Sequence, residues 1–197
     1  MKALHKKLLP LILSGIAVTS FFSVQPAQAF TMTLKQVGSD VVVTGSGAVN
    51  LTGLTLEFNV APAAGIVAGN GVINAGQSSV NVPAYGGFSG PTSFGPGGSF
   101  FPNTNSGDFV GINNSFGTIF VPAGYVSGTP LSDSSTYNSA TFASLGVTPG
   151  TYVWSWGDGA NQRFTLRIGA VPDGGTTVSL LGFALLGLAT LRRKLGC

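Results

Sequence analysis

Between Phe30 and Ala170 the side chains able to move a proton near neutral pH are five carboxylates: Asp40, Glu57, Asp108, Asp133 and Asp158. A glycoside hydrolase would need two of them facing each other across a cleft at roughly 5 to 9.5 Å. Most of the five stand beside glycine or serine, where acidic residues make turns and caps. The single histidine, His5, and the single cysteine, Cys197, lie in the terminal segments. The stretch between them therefore has no imidazole and no thiolate, which excludes Ser-His-Asp and Cys-His catalysis, the usual zinc sites and a disulfide framework. Asn103 to Asp108 carries oxygen ligands at alternating positions, as calcium loops do, but lacks their acidic count and bidentate glutamate. The expectation is a chain that is not an enzyme and uses no cofactor or metal.

Binding chemistry has one sequence candidate, the alternating aromatics Tyr152, Trp154 and Trp156. Exposed, such a row is a sugar platform that stacks pyranose rings; buried, it is the heaviest part of a core. Register decides between the two. A two-residue loop at Asp158-Gly159 places Trp154 opposite Arg163, on the polar side. A three-residue loop from Asp158 to Ala160 places Trp154 opposite Phe164 and Tyr152 opposite Leu166, and is favoured because exposed tryptophans without a ligand are costly.

Only 8% of the 197 residues are charged, against roughly 25% in an average globular chain. The formal charge of +3 comes from the ends, with Lys2, Lys6 and Lys7 at one and Arg192, Arg193 and Lys194 at the other. From Phe30 to Ala170 only Lys35, Arg163 and Arg167 face the five acids. No basic cluster is left to release counterions from a phosphate backbone, so nucleic acid is excluded as a partner.

The ends read as addresses. Residues 1–29 combine a lysine-rich start, an apolar run from Leu8 to Val18 and the small residues of Ala27-Gln28-Ala29. These are the parts of a secretory signal peptide, with cleavage expected after Ala29 by signal peptidase following passage through the Sec translocon. Thr176 to Leu191 is an uncharged stretch ending at the stop-transfer basic cluster Arg192, Arg193 and Lys194. As a helix it would reach about 24 Å, slightly short of a hydrocarbon core of roughly 30 Å, a gap that snorkelling arginines and local thinning can absorb. The positive-inside rule leaves both basic ends in the cytoplasm and residues 30 to 170 outside, with transient anchorage in the inner membrane.

Just before that apolar stretch stand Val171, Pro172, Asp173, Gly174 and Gly175. Proline and paired glycines disfavour helix and keep this peptide extended above the bilayer. Together with the apolar run and the basic triplet, the tail from Val171 onward resembles the PEP-CTERM class of sorting signals in its VPDSG-type variant. Gly174 replaces the variant's serine, and Leu195-Gly196-Cys197 extends the tail. The resemblance implies an exosortase, a membrane-embedded transpeptidase-like enzyme, as partner. It also implies cleavage near the motif and delivery to the cell surface or the extracellular space.

The chain therefore divides into a signal peptide (1–29), an extracytoplasmic domain (30–170) and a sorting tail (171–197) with a transmembrane helix over 176–191. Period-two alternation in Leu54–Val60 and Arg163–Ile168 predicts half-buried strands. Further strands are expected at 31–37, 40–44, around 72–73, and at 79–82, 109–112, 118–121, 140–145 and 151–156. Glycine-rich turns separate them, and no helical stripe occurs. The fold class is all-β: an antiparallel β-sandwich, jelly-roll or Ig-like, flanked by the signal and transmembrane helices. Residues 84–107, rich in Gly, Pro and Phe, read as a long surface loop. The expected role is structural or adhesive, in an extracellular matrix where exopolysaccharide is the available partner. The alternative is a secreted carbohydrate-binding module using Tyr152, Trp154 and Trp156.

Overall fold

Gly38, at a φ of +61°, lets the chain reverse between Val37 and Asp40 and so creates the first hairpin, β1 (Thr31–Val37) with β2 (Asp40–Gly47). The computed structural model describes residues 28–77, 81–159 and 161–169. Among these, eleven more strands follow: β3 (Thr55–Val60), β4 (Gly65–Val67), β5 (Val72–Ala75), β6 (Val82–Gly86), β7 (Ser99–Phe100), β8 (Thr104–Gly107), β9 (Val110–Asn113), β10 (Thr118–Phe120), β11 (Leu131–Tyr137), β12 (Gly150–Ser155) and β13 (Arg163–Ile168). They form two sheets. Sheet I runs β12-β13-β1-β2-β11-β8 and sheet II runs β3-β6-β10-β9-β5-β4-β7.

Alternation turns one face of each sheet inward. Met32, Leu34, Val41, Val43, Phe164 and Leu166 of sheet I share a single apolar cluster with Ile66, Ile73, Ile112 and Ile119 of sheet II, all of them out of contact with water. The fold is all-β, as the alternation predicts, with the core between the sheets. One pairing departs from a purely antiparallel sandwich. β1 and β13 lie parallel, Thr31 beside Thr165 and Leu34 beside Ile168. A parallel pair needs a long crossover, and here the rest of the domain supplies it. The helices expected at 1–29 and 176–191 lie outside the described residues, apart from Gln28 and Ala29. Those two are tied beside the end of β2: Ala29 forms a parallel bridge with Ala48, whose N–H donates to Gln28 O at 2.8 Å and whose carbonyl accepts from Phe30 N–H at 3.0 Å. Among the described residues no helix is long and apolar enough to cross a membrane.

Three expectations need correction and one strand went unmarked in the sequence; of the strand expected at 79–82, residues 79–80 lie outside the described residues and β6 begins only at Val82. The strand expected at 140–145 is a turn, because Thr141 and Ser144 exchange side chain to backbone hydrogen bonds and Leu145 N–H donates to Thr141 O. β11, with its Ser-Asp-Ser-Ser-Thr interior, is a strand unmarked by apolar alternation, yet it pairs along its full length with β2. β3 does not bury one clean face, since a bulge between Leu56 and Phe58 breaks its register and leaves these side chains 53% and 40% exposed. Residues 84–107 are not a plain surface loop: they hold the end of β6 and all of β7 and β8, and Phe94 is buried. The glycines of this stretch allow a close crossing, in which Gly97 N–H donates to Gly146 O at 3.0 Å and Thr148 N–H donates to Phe94 O at 2.9 Å. A Cβ on Gly97 would stand 2.0 Å from Leu145 O.

Candidate functional site

The aromatic row follows from the pairing of β12 with β13, in which Trp154 faces Phe164 and Tyr152 faces Leu166. That is the buried register. Trp154 is wholly inaccessible and Trp156 nearly so; their indole N–H groups donate to Pro91 O (2.8 Å) and Asn50 O (2.7 Å). Trp154 meets Phe164 edge to face at 6.0 Å, and the Tyr152 ring packs on Phe94 at 5.9 Å. A Cβ on Gly90 would lie 2.4 Å from the Trp154 ring, so the 84–98 segment closes over it. Trp154 and Trp156 are therefore core residues with satisfied polar atoms, while Tyr152 is half-buried beside them with its hydroxyl donating to Thr148 O at 3.0 Å; the two indoles offer no sugar platform, because stacking would need ring faces that the core already covers.

The five carboxylates are placed by separate local tasks. Asp40 Oδ1 accepts from Ser139 N–H at 2.9 Å, and Asp108 Oδ2 accepts from Ser132 N–H at 2.9 Å. Asp158 sits in the β12–β13 turn, and Glu57 lies over Gly86 on exposed β3. Asp133 is the exception. It points inward from β11 over Gly45, 6% exposed, and neither carboxylate oxygen has a hydrogen-bond partner among the described residues. Burial pushes its pKa up to about 7, nearby Asp108 adds to the rise, and the Gly45 backbone opposes it. Side-chain oxygens of Asn103, Asn105 and Asp108 are likewise in use within the fold. Asn103 Oδ1 accepts from Asn138 N–H, and Asn105 Oδ1 accepts from the Ser135 hydroxyl. Among the described residues no three acidic, histidine or cysteine side chains gather as metal ligands would.

β13 ends at Ile168, and Gly169, at a φ of +106°, still donates its N–H to Leu34 O at 3.0 Å. The folded domain is thus secured to within two residues of Val171. Val171, Pro172, Asp173, Gly174, Gly175 and the basic cluster Arg192, Arg193 and Lys194 lie outside the described residues. Residues 170–195 carry the VPDSG-CTERM motif. It is a variant of the PEP-CTERM-like exosortase sorting signals and implies export and membrane-linked processing. No match is found among curated proteins or among solved structures.

Sequence patterning missed two features of the domain. Asp133 is hidden in a serine-rich stretch whose only sign of burial is the spacing Leu131, Asp133, Ser135, Tyr137. An apolar groove on the outer face of sheet II, lined by residues of β3, β5, β9 and β10, has no local signature, because its walls are far apart in the chain.

Proposed function

We propose that this chain is an exported surface or extracellular-matrix protein, delivered by its sorting tail and acting by structure or adhesion rather than by catalysis. Residues 1–29 direct it through the Sec translocon, signal peptidase cuts after Ala29, and 176–191 hold it briefly in the inner membrane. An exosortase then acts at Val171 to Gly175 and leaves the sandwich outside. The observation that carries this proposal is the VPDSG-CTERM motif at 170–195, placed directly after the last core strand.

The domain supports the same role. Its surface is rich in Ser, Thr, Asn and Gly and poor in charge, and its tryptophans are held within the core. Such a surface offers hydrogen bonds to a hydrated polymer layer. Intact mass spectrometry of the protein recovered outside the cell is the test. The expected species starts at Phe30 and ends within the tail. Recovery of the uncut chain from cytosol would overturn the proposal.

A further inference from the structure

The outer face of sheet II is apolar. Val60, Ala64, Val82, Ala84, Phe109 and Phe120 form a second cluster separate from the core between the sheets, and β5, β9 and β10 are buried on both faces. The cover over this face is incomplete. Between Phe58, Val60, Pro62, Phe116, Phe120 and Asn74 a groove of about 330 Å³ stays open. Its shape follows from one row of cross-strand neighbours, Phe58, Ala84, Phe120, Gly111, Asn74 and Gly65. Alternating large and small members of that row cut a trough across the sheet. Phe58 and Phe116 meet edge to face at 6.5 Å and remain 40% and 71% exposed.

An independent feature points to an occupant. Asn74 is 5% exposed, and its Oδ1 is buried with no hydrogen-bond partner among the described residues. The amide orientation is set by the other end, where Nδ2 donates to Ala63 O at 3.3 Å. Oδ1 sits above the Cα of Gly111, in the space that a side chain there would fill. A buried carbonyl without a donor costs roughly 1 to 3 kcal/mol, and a ligand donor reaching it after a small parting of the walls recovers that cost.

We infer that this groove binds an uncharged, ring-bearing apolar small molecule that donates one hydrogen bond to Asn74 Oδ1. Among the described residues no charged side chain lines the groove, so an ionic ligand would lose hydration without compensation. A free sugar fits poorly, because several hydroxyls would be buried against two amide side chains. The volume lies at the lower end of ordinary small-ligand sites.

N-phenyl-1-naphthylamine, two ring systems joined by one N–H, is a matched probe whose fluorescence rises in apolar surroundings. Titrated into the purified full chain, it is expected to show a saturable component that Ala63→Phe weakens at least tenfold, since Ala63 is an exposed lining residue and a ring there fills the groove. Comparing the two chains cancels dye taken up by the apolar tail. 1-Benzylnaphthalene, with a methylene in place of the N–H, is expected to displace the dye at least fivefold less effectively than N-phenyl-1-naphthylamine competes with itself. Equal dye binding by both chains, or equal competition by the methylene analogue, overturns the assignment. Should Ala63→Phe fail to fold, Phe116→Ala removes an exposed wall instead, and unchanged affinity there counts equally against it.

Discussion

Asp133 and Tyr137 are two polar side chains that β11 points into the interior, their oxygens without a hydrogen-bond partner among the described residues. The Asp133 acid, raised from 3.8 to about 7 by burial, binds its proton more tightly in the folded chain than in the unfolded one. The contribution is therefore present below about pH 4 and is lost as pH rises towards about 7, a change on the order of 4 kcal/mol between the limits. Urea titrations are expected to give a more stable protein at pH 5 than at pH 8, and Asp133→Asn is expected to flatten that difference. A slope unchanged by Asp133→Asn would refute the assignment. Burial likewise pushes the Tyr137 hydroxyl up, and its oxygen lacks a partner. Replacing an orphaned hydroxyl by hydrogen removes a desolvation penalty, so Tyr137→Phe is expected to raise stability by about 1 kcal/mol, read as a higher melting temperature.

Strands whose faces differ in polarity were legible in the sequence. Phe164, Leu166 and Ile168 against Arg163 and Arg167 mark β13, and the favoured register of Trp154 opposite Phe164 is the one observed. β11 was illegible because its backbone pairs with β2 and β8 while its side chains look like those of a loop. The stretch 84–107 was illegible for the opposite reason, since its glycines look flexible but serve close backbone approach. Gly97→Ala would force a methyl against Leu145 O and is expected to cost more than about 2 kcal/mol, as overpacking of a tight crossing does. Limited proteolysis should then cut within 84–98 faster than in the unaltered chain; equal rates would show that the crossing does not hold this segment. The groove over sheet II was beyond local patterning because Phe58, Asn74 and Phe120 become neighbours only through strand order.

At the scale of the whole molecule, the sorting signal and the all-β architecture were legible by different means. The sorting tail is a contiguous peptide whose chemistry needs no fold, and Val171-Pro172-Asp173 can be read residue by residue. Substituting Pro172 and Asp173 by alanine is expected to leave uncut chain in the membrane fraction, measured as a loss of released protein of tenfold or more. Normal release would sink the motif's role. The placement of β13 has a further effect on timing. This last strand sits inside sheet I, next to the edge strand β12 and paired on its other side with β1. The sheet therefore cannot be completed until nearly all of the polypeptide has emerged, and contacts so distant along the chain form slowly. On the proposed export route, an unfinished sheet keeps the travelling chain threadable, and closure is expected only once the final segment is across.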